Sequence, residues 1–444
     1  MYKLTLQIYV ENHWWDAAEL SIFNPQVGLK AGCKLGYKPD YLVEHLEKLS
    51  TRLAWSLSAN HPLSWDTYSG SEVLALLQDI TPAGAARRFL EARYGELRPN
   101  NLAMDVFLLA TATPAPIGHL RIKEASELLK SAKELGFSRN EVVQRDQQFL
   151  EYAYEQGAAI GGATGAGGEA PKLLLTETSQ GLLYPDAVLA DNLAMKHWFI
   201  KFPRNRAGTV DQDILRSEYC YYQAIDKLGF LTVDQADLRL EEGSKPSLWM
   251  QRFDRKHTNH QVDRFALESI YSLLKVTIPG SYLKHLDVLK CLLKLWQKEG
   301  QVEDIPALVL DYLSRDLLNL VVGNSDNHGR NLSIIRTEQT LKLAPIYDLA
   351  PMVMDEEGVT RTTKWPQSAE LGGEVNWLKV CQMTAEIANL SAEWLYDELC
   401  KLASKLLALP DLLLDLGLPE QTWQHPRIPL SYLPKYLSNR GLVR

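Results

Sequence analysis

The sequence predicts an α+β protein in three parts, and three observations lead there. The chain opens with strand-like alternation, Leu4, Leu6, Ile8 and Val10 falling on one face of an extended run. Two apolar and aromatic runs, Lys196 to Pro203 and Ser247 to Arg255, read as further strands. From about Lys256 onward apolar residues recur at three- and four-residue spacing, as in helices that bury one face. A chain of 444 residues is too long for a single core. The predicted parts are a small α/β unit over 1–125, a connector helix with a β-rich unit over 126–255, and a helical unit over 256–444.

Composition excludes several classes. Apolar residues make up 46% and charged residues 23%, as in ordinary globular protein. The net charge of −8 speaks against a large nucleic-acid footprint, although a local basic patch is compatible with it. The cysteines, Cys33, Cys220, Cys291, Cys381 and Cys400, are odd in number and lack C-x-x-C spacing. They read as reduced thiols of a cytoplasmic protein. The N-terminus lacks a signal-peptide pattern, and the most apolar stretch, Ala307 to Val322, is broken by Asp311, Arg315 and Asp316. No membrane span is expected.

In the first part, strands are expected at the N-terminus, at Asp16–Phe23 and at Ile117–Ile122, with helical spacing at Val73–Leu77 and Ala85–Tyr94. Ser138 and Glu141 have the spacing of a capping box, which predicts a helix running to about Gln156. Next comes I-G-G-A-T-G-A-G-G-E-A-P-K, Ile160 to Lys172, in which Gly161, Gly162, Gly165, Gly167 and Gly168 crowd together around Thr164. Glycine lets backbone N–H groups approach a phosphate closely. A flexible linker has the same composition, but ordered apolar chain resumes at once after Glu169. The loop is not a Walker A sequence, because no G-K-[S/T] follows.

Lys201 lies in the Lys196–Pro203 strand, where a fixed ammonium would offset phosphate charge; a strand lysine is usually only solvated. Ile214 to Leu228 is helical in pattern and carries Glu218, placed to pair with Lys201 or to face solvent. The strand ending at Arg255 carries Gln251 and Phe253, either a simple edge or a place where backbone groups read a base. Helices are expected at Phe265–Leu274, Ser281–Gln297, Ile305–Val322, Val375–Ile387 and Ala392–Ala408. The basic, proline-containing end, His425 to Arg444, wraps the surface, contacts a partner or stays mobile.

The chemistry concentrates between Val321 and Pro351. V-V-G-N-S-D-N-H-G-R-N-L is followed by A-P-I-Y-D-L-A-P. A short strand, Leu332 to Ile335, and a hairpin near Glu338 would return Asp348 to the first loop. Phosphoryl transfer needs one carboxylate at the attacking hydroxyl, and an amide oxygen with a second carboxylate on magnesium. Asp326 fits the base, and Asn331 and Asp348 fit the magnesium ligands. Two other readings share these residues: a plain Asn/Asp/Gly turn, and a transition-metal pair of Asp326 with His328.

Glycine loop, strand lysine, helix glutamate, second strand, D-x-x-x-x-N loop and final Asp occur in one order. That order, with I-K-F-P, Q-R-F-D-R, G-N-S-D-N-H-G-R-N-L and A-P-I-Y-D-L-A-P, resembles the HipA family of serine/threonine kinase toxins of toxin–antitoxin modules. The resemblance implies a small N-terminal subdomain, a β-rich kinase lobe and an all-helical lobe. It puts Lys201, Gln251 and Phe253 on nucleotide positions, Asp326 on the base, and Asn331 and Asp348 on magnesium. It implies ATP and Mg2+ as cofactors, and a protein substrate, with aminoacyl-tRNA synthetases the known class. It also implies a HipB-like helix-turn-helix antitoxin as partner, which carries the kinase to DNA. The chain departs from the family where many members have an autophosphorylated loop serine: Gly165 stands there, and Thr164 is the hydroxyl within the loop core. Two other functions use the same residues, a small-molecule phosphotransferase and a catalytically silent kinase-like co-repressor.

Overall fold

The computed structural model describes residues 1–46, 53–129, 135–145, 153, 159–160, 171–204, 206–258 and 261–443. The fold is α+β, and the chain divides into two compact units. The first comprises 1–205, 237–279 and 333–342, and the second 206–236, 280–332 and 343–444. The glycine loop, with Gly161, Gly162, Thr164, Gly165, Gly167 and Gly168, lies outside the described residues, as does most of the connector predicted to reach Gln156.

In the first unit, β1 (Tyr2–Val10) and β2 (His13–Ile22) form a hairpin. The two residues between them, Glu11 and Asn12, both have positive φ, at 50° and 62°. A turn of that hand matches the right-handed twist of the paired strands. With β3 (Cys33–Tyr37), β4 (Tyr68–Gly70) and β5 (Leu120–Ile122) they make a sheet in the order β4-β3-β2-β1-β5. The alternating Leu4, Leu6, Ile8 and Val10 are buried on it, as read from the sequence.

A second sheet gathers β6 (Ala159–Ile160), β7 (Lys172–Thr178), β8 (Leu183–Pro185), β9 (Ala194–Lys201), β10 (Arg239–Glu242) and β11 (Pro246–Gln251). Its order is β10-β11-β9-β7-β6, with β8 on β7. Trp198 and Trp249 sit edge to face in its core, 5.7 Å between ring centroids. The capping box at Ser138 forms with both reciprocal bonds, and the described helix runs Arg139–Val143.

β-Structure continues past Lys256, in β12 (Arg255–Thr258), β13 (Gln261–Arg264) and β14 (Ala266–Ser269). The helix expected over Phe265–Leu274 is therefore only Ile270–Leu273. The reason is pairing: β14 lies antiparallel to Ser333–Arg336, and Ser269 then caps the short helix through the Ser272 N–H. Apolar spacing over such a short window is satisfied by either structure.

The second unit is mainly helical: Thr209–Lys227, His285–Lys298, Ile305–Val321, Trp377–Ala388 and Ala392–Leu406. The basic C-terminal segment is ordered, and it buries Ile428, Leu430, Leu433, Leu437 and Leu442. The five cysteines are free thiols, and no described helix is long and apolar enough to cross a membrane.

Candidate active site

The second unit brings Asp326, Asn331 and Asp348 into one hydrogen-bonded cluster. The Ile305–Val321 helix delivers the chain, with Leu313, Leu317, Leu318 and Val321 fully buried. It ends at Gly323, φ +71°, and the Asn324 N–H returns to the Asn319 carbonyl at 2.8 Å. That is the Schellman ending, in which a left-handed residue after the C-cap satisfies the last carbonyls. Glycine is required twice here, because a Cβ would also stand 2.6 Å from Ile428 Cγ1.

Asn324, which the sequence reading did not single out, holds the cluster. It is buried, 5% exposed. Its Oδ1 accepts the Asp326 N–H at 3.1 Å, and its Nδ2 donates to the Asp348 carbonyl at 3.3 Å and to Asn319 Oδ1 at 3.0 Å. One amide thus ties the backbone of Asp326 to that of Asp348, Asn324 reaching across 24 residues of chain to the latter. Asn331 donates its Nδ2 to the Asp326 carbonyl at 2.7 Å. With its N–H committed, the side-chain oxygen of Asn331 is left as the donor for a cation. The signal for Asn324 was an Asn two residues before an Asp, the spacing of an Asx turn.

His328 was read as a rival metal ligand, and the geometry gives it another task. Its Nδ1 accepts the Arg330 N–H at 3.2 Å, so its proton belongs on Nε2, which lies 3.5 Å from Asp326 Oδ1. Its carbonyl accepts the Asn331 N–H at 2.9 Å. Among the described residues no group of three or more His, Cys, Asp or Glu side chains is arranged to hold a metal. Asn327 clamps the neighbouring segment, accepting the Thr362 and Thr363 N–H groups at 3.0 and 3.2 Å and donating to the Thr363 carbonyl at 2.8 Å.

Asp348 has left-handed backbone, φ +55°, a conformation that Asp tolerates better than most residues. Flanking bonds fix it: the Ile346 N–H donates to the Leu231 carbonyl at 2.8 Å, and the Thr232 hydroxyl donates to the Ile346 carbonyl at 2.9 Å. The Leu349 N–H reaches the Tyr222 hydroxyl at 3.4 Å, which itself donates to Glu218 at 2.8 Å. Glu218 is therefore wired to the Asp348 turn through Tyr222. Burial, then the Glu218 and Asp348 charges, push the Tyr222 phenol well above its usual range, so it acts as a hydrogen-bond donor. The solvated role considered for Glu218 is excluded, since it is 1% exposed.

Lys201, Gln251 and Phe253 belong to the first unit. Lys201 ends β9, is 6% exposed, and stands directly opposite Lys172 in the ladder. Residues opposite each other share a face, so the two lysine side chains leave the same face of the sheet. Gln251 is the last residue of β11. The Q-R-F-D-R motif that contains it is largely structural. Arg252 donates to Asp186 at 2.7 Å and to Asp254 at 2.6 Å, Arg255 donates to Asp254 at 2.6 Å, and Asp254 accepts the Gly118 N–H at 2.6 Å. Burial alone would raise the Asp254 carboxyl; Arg252 and Arg255 reverse that and hold it far below the usual range.

The candidate donors carried on this frame are oxygens: the carboxylates of Asp326 and Asp348 and the amide oxygen of Asn331. Such a set suits a hard divalent cation of the magnesium type rather than zinc.

These features define the HipA-type α+β fold. The model of the HipA-like C-terminal domain matches residues 164–406. The chain belongs to that family. A solved structure of HipA with HipB and operator DNA, from Shewanella oneidensis MR-1, superposes at a TM-score of 0.62 with 16% identity, covering 98% of this chain and 96% of that one. Toxin YjjJ of Escherichia coli is 27% identical over 216 residues, 47% of this chain and 43% of YjjJ. The protein Y4mE of Sinorhizobium fredii is 51% identical over 45 residues, 10% of this chain and 11% of Y4mE. The chain thus spans under half the length of both curated relatives.

Proposed function

We propose that the chain is an ATP- and magnesium-dependent serine/threonine-protein kinase, the toxin of a toxin–antitoxin module in the cytoplasm. The observation that supports this reading is the Asn324-centred cluster, which ties Asp326, Asn331 and Asp348 into one hydrogen-bonded frame. In this reading Asp326 accepts or orients the proton of the attacking hydroxyl, with the His328 ring 3.5 Å from one of its carboxylate oxygens. Asn331 Oδ1 and the Asp348 carboxylate hold magnesium, which neutralises phosphate charge when bound. Lys201 adds a fixed ammonium beside the phosphates, Gln251 and Phe253 offer backbone groups to the base, and the 161–168 loop covers the phosphates.

The substrate proposed is a protein of the translation apparatus, with an aminoacyl-tRNA synthetase first to be tested. The proposed partner is a HipB-like antitoxin, supported by the HipA–HipB–operator assembly of the structural relative. DNA contact would run through that antitoxin, in keeping with a net charge of −8.

The test is transfer of label from γ-labelled ATP, with lysate protein and small hydroxylated acceptors offered in parallel. Label is expected on serine or threonine of a protein, only with magnesium, and Asp326→Asn should lower transfer by at least about a hundredfold while the fold persists. Label on small acceptors alone would replace the protein-kinase reading with a small-molecule one. Nucleotide binding without any transfer would favour a silent co-repressor.

A further inference from the structure

The first unit contains a cleft of about 620 Å3 with no role in the chemistry above. That volume is in the range of small-molecule sites. Its polar wall includes Gln7, Tyr9, Trp14, Arg121, Asp191 and Arg264, together with Asp186, whose charge is answered by Arg252 at 2.7 Å. Leu189 and Val262 supply apolar surface. Arg121 lies over the Trp14 ring, 4.0 Å from its centroid, and Arg264 lies 5.3 Å from the same centroid and 4.8 Å from that of Tyr9. Two guanidiniums therefore flank one indole.

Their charge is only partly answered. Arg264 Nη2 donates to Asp191 at 2.6 Å, and Tyr9 donates to the other Asp191 oxygen at 3.0 Å. The Arg264 side chain is 6% exposed, yet its Nε and Nη1 have no hydrogen-bond partner among the described residues. Arg121 has one side-chain bond, from Nε to Gln7 Oε1 at 2.7 Å, and no carboxylate within ion-pair distance among the described residues. Leaving buried donors unpaired costs energy, and a pair of neighbouring arginines with free N–H forks matches the oxygens of a carboxylate or phosphate. Burial and the nearby Arg264 charge bring the Arg121 guanidinium down to about 10, the direction expected of a cation held beside another.

We propose that this cleft binds a small organic oxyanion, a phosphate or carboxylate carried on a compact ring or apolar body, clamped by Arg121 and Arg264. The oxyanion takes the open N–H groups, and the ring lies against Leu189, Val262 and the exposed parts of Tyr9 and Trp14. Asp191 and Gln7 hold the two arginines in place.

The experiment is isothermal titration calorimetry of the full chain with phenyl phosphate and with benzoate. At least one probe is expected to saturate with Kd at or below about 1 mM, an affinity within reach of a few charge-assisted hydrogen bonds. The probe that binds identifies the acid group. Arg121→Gln and Arg264→Gln should each weaken it at least about tenfold, and Asp348→Asn should leave it unchanged, which separates this cleft from the proposed phosphotransfer site. Circular dichroism establishes that each variant is folded; if Arg264→Gln is not, Arg121→Gln and Trp14→Leu decide. No saturation by either probe, or equal affinity in the folded arginine variants, overturns the proposal.

Discussion

At the scale of single residues, the candidate site depends on amides as much as on acids. Asn324 supplies three hydrogen bonds from one buried side chain, two of them to groups bracketing the proposed base and magnesium ligand. Asn324→Ala leaves the Asp326 N–H, the Asp348 carbonyl and Asn319 Oδ1 without that partner, at a cost on the order of 1–3 kcal/mol for a buried group left unsatisfied. Because the loss falls on geometry, phosphotransfer should drop more than stability does, by roughly a hundredfold. Asn324→Asp keeps the acceptor for Asp326 but loses the donor to Asp348, so its defect should appear chiefly as a raised magnesium requirement. A magnesium titration of both variants checks this; equal magnesium dependence in Asn324→Asp and the parent would remove Asn324 from the positioning role. Asp326, Asn331 and Asp348 were legible in the sequence because the motif names them directly. Asn324, Tyr222 and the task of His328 were not, because their meaning lies in partners between 2 and 127 residues away.

At the scale of elements, the ending of the Ile305–Val321 helix sets where the loop carrying Asp326 begins. Gly323 combines a left-handed φ with a Cβ position already filled by Ile428 and, at 2.9 Å, by Val353. Gly323→Ala should cost about 1–2 kcal/mol from the backbone alone and more from overpacking, and the midpoint of urea unfolding should fall accordingly. Asn389, also left-handed at φ 55°, ends the Trp377–Ala388 helix at an exposed position; Asn389→Gly should be neutral or mildly stabilising by the same measurement. The long helices and the first hairpin were readable from periodicity because they satisfy it over many residues. The boundary at Phe265–Leu274 was not, since Ala266–Ser269 becomes a strand through pairing with Ser333–Arg336, far along the chain. The C-terminal segment was ambiguous for a related reason: its leucines and Ile428 are apolar enough for a core, but their place in it is defined by tertiary contact.

At the scale of the whole molecule, buried histidines impose a shared dependence on pH. His61 and His285 are each pulled down to about 4, first by burial, then by Lys275 beside the former and by Arg361 beside the latter, against the opposing pull of Asp316. His197 is lowered by burial despite its 3.1 Å contact with Asp186, and His119 is lowered well below its usual range by burial and Arg336. In every case the folded chain resists a proton that the unfolded chain takes up near pH 6.5. Between that pH and about 4 the unfolded state therefore binds more protons, so stability rises with pH across the window and is fully present above it. His61 and His285 each contribute a slope on the order of 1.4 kcal/mol per pH unit within the window, and His197 and His119 act in the same direction. Asp16, held to about 2, with burial outweighed by its bonds to Lys123, Gln7 and Lys38, adds a loss only at lower pH, as the carboxylate protonates. The thermal midpoint should thus be nearly flat from pH 7 to 8 and fall steeply from 6.5 toward 4. His285→Gln, which removes one of these groups from the second unit, should reduce that acid slope even if it lowers stability at pH 7. A midpoint that stays level between pH 6.5 and 4.5, or a slope unaltered in His285→Gln, would show that these imidazoles are charged in the folded chain and that burial does not govern them.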